Sequence, residues 1–411
     1  MKTLDEIYLD LSSLSVYKYI INENVITSYY RLLGLLTADK KADLSDIFDL
    51  YTNIYYNLKK DNPAKTLFNY LYDLIVYEPS SIAKAVEEDY YDEMLYKSAK
   101  NDLKVLSELA ALPCRAIKDE INKKYETKAA DMLPEWEGAE KTFDFDNILE
   151  FYRLNGYGIF AKSRAFVWEN KALRPIKNPD NINVKDMVLY YRQRQLLINN
   201  TKALLSGKRV NNVLLYGDSG TGKSATVKSM INIEEFSSLR IIEIPKEQLS
   251  DIPDILRLIS GHKQKFILFI DDLSFENNEE VFSSLKVILE GGLETRPQNV
   301  VIYATSNRRH LVKEYFKERS GLYSSSQDEE IHANETIQEK ISLSDRFGLK
   351  ISYTNLSKKE FLYLVCELAK QKGLNIDKSE LEKKAIEWDA EHPGRTPRIA
   401  HQFIDFLCIS Q

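Results

Sequence analysis

The spacing of apolar residues changes character twice along this chain. Through residues 1–150 apolar side chains return every three or four positions, which places them on one face of a helix. Leu67, Leu71, Leu74 and Ile75 share one such face; Val105, Leu109 and Leu112 share another, ended by Pro113. Glycine is scarce here and tyrosine abundant, with the pairs Tyr29–Tyr30, Tyr55–Tyr56 and Tyr90–Tyr91. These rings read as helix-packing groups with hydroxyls toward water, an aromatic surface for peptide or nucleic acid being the alternative. Glu87-Glu88-Asp89 reads as a solvated face. A helical N-terminal domain is expected over residues 1–150.

The pattern breaks at residues 151–184. FYRLNGYGIFAKSRAFVW is aromatic and carries two glycines, and Pro175 and Pro179 follow in ALRPIKNPDNINV, so an extended connector is expected. Beyond it, short apolar runs alternate with helical stretches. A helix is predicted over 186–206, ended by Gly207 as a C-cap. Strands are predicted at 213–216, 239–244, 265–271, 299–305 and 349–353. Short apolar strands separated by helices indicate an α/β fold, a parallel sheet covered on both faces, over 185–354. The remainder, 355–411, reads as a helical lid. Ser357 and Glu360 form a capping box before FLYLVCELAKQKG, which ends at Gly373, and helices follow near 378–389 and 397–409.

Composition narrows the class. The 411 residues are 44% hydrophobic and 29% charged, enough apolar material for two or three domains. The formal net charge of −6 argues against a surface built for nonspecific nucleic-acid binding. The three cysteines, Cys114, Cys366 and Cys408, are far apart, which disfavours a disulfide framework or metal cluster and fits a reducing cytoplasm. No run is long and apolar enough to span a bilayer, and MKTLDEIYLDL carries acids where a signal peptide needs an apolar stretch. A cytoplasmic location and no membrane partner are expected.

The chemistry concentrates in five places. Gly217-Asp218-Ser219-Gly220-Thr221-Gly222-Lys223-Ser224 satisfies GxxxxGK[ST], after the strand VLLY and opening the helix KSATVKSM. Glycines there let backbone N–H groups converge on phosphate oxygens, and the helix N-terminus adds a favourable dipole. Lys223 would bridge β- and γ-phosphates and Ser224 would hold Mg²⁺. FILFIDD ends an apolar strand in two acids. Asp271 would hold the same magnesium, and Asp272 would orient or deprotonate the attacking water, with Glu276 as a second candidate base. VVIYATSN ends another strand, so Asn307, or else Thr305, can reach the γ-phosphate. Finally, Arg346 in SDRFG precedes the last strand, and Arg398 in GRTPR follows Thr396 as N-cap and Pro397 at the first helical position.

In this order and spacing the blocks resemble those of the AAA+ ATPases. NNVLLYGDSGTGKS, FILFIDDLSFE, YATSNRRHL and EKISLSDRFGL look more closely like a bacterial AAA+ ATP-binding family of unknown function, domain of unknown function 815, over the chain from about residue 150. The resemblance implies a five-stranded sheet of order 5-1-4-3-2 with a helical lid. It gives Asn307 the sensor-1 role, makes Arg398 the sensor-2 candidate, and makes Arg346 an arginine finger acting on ATP in a neighbouring subunit. A finger supplied in trans implies a homo-oligomeric ring or filament. Tyr190 and Tyr191 fall near where such proteins seat the adenine. Asp271-Asp272 departs from the usual Asp-Glu pair, which points to slow turnover.

Three functions fit these residues. The first is an ATPase that assembles or remodels an unknown protein client. The second is a nucleotide-gated nucleic-acid loader, supported by the run Arg308-Arg309-His310-Leu311-Val312-Lys313 and opposed by the net charge. The third is a scaffold that holds ATP with little turnover.

Overall fold

The computed structural model describes residues 2–273, 297–307, 346–392 and 394–409. Its contacts divide the chain into two compact units, Met1–Lys162 and Ser163–Gln411.

The first unit is helical: α1 (Leu4–Ser12), α2 (Asn24–Thr37), α3 (Leu44–Lys59), α4 (Leu67–Tyr77), α5 (Ser81–Glu87), α6 (Glu93–Ala111), α7 (Cys114–Tyr125), α8 (Phe145–Asn155) and α9 (Ile159–Lys162). Side chains of Thr3, Thr66, Ser80, Asp92 and Asp144 accept first-turn amides, so most of these starts are capped by their own sequence. On α4 the buried stripe is Leu67, Leu71, Ile75 and Val76. Val105 lies at the margin of α6, whose buried positions include Leu103, Leu106 and Leu109. Tyr17, Tyr29, Tyr51 and Tyr152 are wholly buried in the core, whereas Tyr90 and Tyr91 are exposed. In the acidic run Glu88 and Asp89 are exposed, but Glu87 is buried, its carboxylate accepting from the Tyr157 hydroxyl. The helical unit continues past residue 150 because α8 and α9 pack on α4 and α5.

In the second unit a seven-stranded sheet runs β2-β1-β4-β5-β6-β3-β7. Its strands are β1 (Ala165–Glu169), β2 (Ala172–Pro175), β3 (Val213–Gly217), β4 (Leu239–Glu243), β5 (Lys265–Ile270), β6 (Val300–Ser306) and β7 (Leu349–Tyr353). The five predicted strands, β3 to β7, hold the expected order 5-1-4-3-2 and are all parallel. β6 is buried at every position, as a central strand covered on both faces must be.

The two extra strands come from the segment expected to be a connector. β1 runs parallel to β4 with Phe166 opposite Ile242, burying Ala165, Phe166 and Trp168. Trp168 Nε1 donates to Asp251 Oδ2 at 2.9 Å. Asn170 and Lys171, with φ of 52° and 59°, make the two-residue turn into antiparallel β2. Pro175 ends that strand at the sheet edge, where a missing N–H costs no ladder bond.

Helices α10 (Tyr191–Leu205), α11 (Lys223–Lys228) and α12 (Ile252–Ile259) belong to this unit. α13 (Lys358–Gln371), α14 (Lys378–Glu391) and α15 (Pro397–Ile409) form the lid around Phe361, Leu364, Leu381, Phe403 and Ile404. The capping box of Ser357 and Glu360 is formed, and Gly207 and Gly373 end their helices at φ of 71° and 70°. α10 begins later than predicted. Tyr190 is left-handed (φ 61°, ψ 34°) and breaks the helix, so residues 187–190 run as a strap instead. Among the described residues no helix is long and apolar enough to cross a membrane.

Candidate functional site

At the carboxyl ends of β3, β5 and β6 the second unit encloses a cavity of about 640 Å³. The glycine loop forms its floor, the strap through Tyr190 one wall, and the lid residues Leu364, Leu368 and Arg398 another. Asp271, Asp272, Thr305 and Asn307 face it from the strand ends.

The loop is shaped by what presses on it. Gly217 has φ 134°, and a Cβ there would lie 1.8 Å from the Tyr353 carbonyl oxygen of β7, so only glycine passes. The Asp218 amide donates to that same carbonyl at 3.0 Å. Gly220, at φ 77°, has Thr396 Oγ1 and Arg398 Cβ 3.1 and 3.2 Å from where a Cβ would stand. The Arg398 amide donates to the Gly220 carbonyl at 3.2 Å. The loop is therefore touched directly by the lid.

Gly217 and Asp218 do not line the cavity; Ser219 through Ser224 do. The Asp218 carboxylate turns to the chain that enters the lid, its Oδ2 accepting the Asn355 amide at 2.8 Å. Lys223 is buried and donates to the Gly217 and Asp218 carbonyls at 3.2 and 2.7 Å. Burial pulls its ammonium below the ordinary lysine range, with Asp218, Asp272 and Asp271 opposing that shift. The Arg398 guanidinium is near enough to be repelled by it. Two cations thus converge on one cavity, an arrangement suited to a polyanion.

The acids stand opposite. Ser224 Oγ donates to Asp271 Oδ1 at 2.6 Å, bringing the loop hydroxyl and the strand-end carboxylate together. Both are hard oxygen donors, the type that magnesium takes. Asp272 is left-handed (φ 50°), an uncommon conformation for a residue with a Cβ. Its Oδ1 accepts from Asn307 Nδ2 at 2.6 Å and its Oδ2 pairs with Lys246 Nζ at 3.2 Å. Lys246, 26 positions away in sequence, carried no signal that would link it to Asp272.

Of the paired tyrosines only Tyr190 lines the cavity; its hydroxyl donates to the Thr354 carbonyl at 2.6 Å. Tyr191 is 72% exposed, because the left-handed turn at Tyr190 sends successive side chains to different sides. The strap is gripped by Arg194, donating to the Met187 carbonyl at 2.6 Å, and the residue just before it by Gln371 of the lid, donating to the Asp186 carbonyl at 3.2 Å. Thr396 caps α15, accepting the Ile399 amide at 3.4 Å, and Pro397 opens that helix. Arg346 is exposed just before β7 and is not among the residues lining the cavity. Glu276 and the basic run 308–313 lie outside the described residues.

The family described as "Protein of unknown function (DUF815)" matches residues 161–410, more than half of the chain. The chain belongs to the DUF815 family. That match begins where the second compact unit begins, so the helical unit of this DUF815 member lies almost entirely outside it. The strand order, the glycine loop between β3 and α11, and the helical lid make the DUF815 region a P-loop NTPase core of the AAA+ type. No curated protein matches. Among solved structures, the Thermotoga maritima RuvB Holliday junction branch migration motor matches with 19% identity, over 55% of this chain and 63% of that one, at a TM-score of 0.37. Two single-substitution mutants of the same protein match with 19% identity over 55% and 55% of this chain and 64% and 63% of theirs, at TM-scores of 0.37 and 0.38. The chain thus spans less than two thirds of the length of these proteins.

Proposed function

We propose that this chain binds ATP with magnesium and hydrolyses it, and that hydrolysis drives assembly of a homo-oligomer or remodelling of a protein client. One observation carries the reading: Ser224 Oγ meets Asp271 Oδ1 at 2.6 Å above a glycine loop, in a cavity of about 640 Å³ into which Lys223 and Arg398 also face. The donor set fits the groups it is proposed to hold. The loop's backbone N–H groups and the α11 N-terminus suit phosphate oxygens. Ser224 and Asp271 supply oxygens to magnesium, directly or through water.

In this reading each residue has one task. Lys223 binds β- and γ-phosphate oxygens and Arg398 reaches the same anion from the lid. Asp272 accepts a proton from the attacking water, and Asn307 holds the Asp272 carboxylate in line beside the γ-phosphate. Magnesium, when bound, neutralises charge developing on the transferred phosphoryl group. Leu364, Leu368 and Tyr190 form the less polar part of the cavity and receive the base. Arg346, exposed on its own subunit, reaches the ATP of a neighbour, so that assembly completes the site.

The test is nucleotide binding and phosphate release by the full chain and by Lys223→Ala. ATP binding and magnesium-dependent release by the wild type, with both lost in Lys223→Ala, is the expected result. Unaltered ATP affinity in the variant overturns the assignment of the site.

A further inference from the structure

Thr305 has a different part from the γ-phosphate contact considered for it. It is 1% exposed, and its hydroxyl is already engaged at both ends. Thr305 Oγ1 donates to Asp271 Oδ1 at 2.6 Å and accepts the Asp272 amide at 2.8 Å. A hydroxyl has one proton to give, and this one is spent on Asp271. The Thr305 carbonyl accepts the Leu273 amide at 2.7 Å. Thr305 thus holds the backbone on both sides of the left-handed Asp272.

The effect on Asp271 is equally specific. Its Oδ1 accepts from Ser224 Oγ, Thr305 Oγ1 and, at 3.1 Å, the Asp272 amide. Three donors on one oxygen fix the plane of the carboxylate and leave Oδ2, which takes no hydrogen bond among the described residues, as the oxygen offered to a cation. One hydroxyl is shared between the two acids, so their positions are linked rather than set separately.

We infer that Thr305 is a positioning residue that sets both acids at once: it selects the Asp271 oxygen presented to a divalent cation and pins the kink that carries the Asp272 carboxylate to Asn307. The role in catalysis rests on the ATP-hydrolysing reading of this site; the clamp on the backbone does not.

Two variants separate the hydroxyl from the side chain's bulk. Thr305→Val keeps the shape and removes the hydroxyl, and Thr305→Ser keeps the hydroxyl. Manganese titrated onto the ADP-saturated full chain, followed by electron paramagnetic resonance, should bind Thr305→Val about ten-fold more weakly, as for other supports of a metal ligand. Thr305→Ser should stay near wild type, and ADP binding in chelator should be unchanged in both. With ATP, kcat should fall in Thr305→Val at constant KM. In the ligand-free protein, the Asp272 amide should exchange with solvent faster in Thr305→Val and not in Thr305→Ser. The inference is overturned if Thr305→Val leaves that amide protected, or if Thr305→Ser fails alongside it. A wild type that binds no manganese with ADP sinks the ATP reading instead, while amide exchange still decides the clamp.

Discussion

Asn307 Nδ2 donates to Asp272 Oδ1 at 2.6 Å, joining the ends of β6 and β5 through the carboxylate assigned to the attacking water. In Asp272→Asn the amide cannot take the proton, while the loop keeps its shape and the hydrogen bonds of Lys223 to the Gly217 and Asp218 carbonyls. This variant should bind ATP as the wild type does and turn over about 10²–10⁴-fold more slowly, the usual worth of a positioned base. Single-turnover phosphate release measures it. Hydrolysis at the wild-type rate would move the base role to Glu276.

Arg346 is exposed and outside its own cavity's lining, so its loss should leave nucleotide binding by its own subunit in place. Arg346→Ala should keep ATP affinity and lose turnover about 10³-fold, as expected of an arginine finger. Mixed with Lys223→Ala it should regain activity, because one subunit supplies the intact loop and its neighbour the intact arginine. Activity that never returns on mixing would count against a finger in trans.

The bond from the Asn355 amide to Asp218 ties the loop to the start of the lid. Asp218→Ala removes it at a half-exposed position, for a loss of about 1 kcal/mol in lid closure. The expected outcome is a several-fold weaker ATP affinity together with faster hydrogen exchange at Asn355. Unchanged exchange there would show that the lid is held by other contacts.

Asp102 belongs to the helical unit and tests stability alone. It is 4% exposed, and its Oδ2 accepts the amides of Ser15, Val16 and Tyr17 at 3.0, 2.7 and 3.0 Å. Asp102→Ala strands these three amides along with the Ser15 hydroxyl and should destabilise that unit by about 2–4 kcal/mol in chemical denaturation. A loss near zero would show that water replaces the carboxylate.

What could be read in advance was local. The glycine loop is one contiguous run between a strand and a helix, and the pairing of Ser224 with Asp271 follows from parallel strands, β3 and β5 with β6 between them, ending at the same edge of the sheet. Ser357 and Glu360 cap a helix three residues apart for the same reason. Other features depended on partners distant in sequence. β1 looked like connector because its value lies in pairing with β4, some seventy residues on, and Pro175 of its partner β2 sits at the edge, where the sheet has no further neighbour to miss its N–H. Lys246 meets Asp272 only after β4 and β5 align. Asp218, inside a phosphate-binding motif, spends its carboxylate on the hinge, which no motif spacing encodes.

Gly220 sits beneath Thr396 and Arg398, close enough that a single added carbon would crowd both. The motif leaves this place unspecified, so its smallness answers to the lid above it and to its own left-handed backbone, at φ 77°. Position 220 therefore works as a spacer of zero thickness. Relatives with a bulkier residue there would carry the last helix, and Arg398 with it, farther from the loop, so this one letter offers a way to sort family members by how far their lids shut.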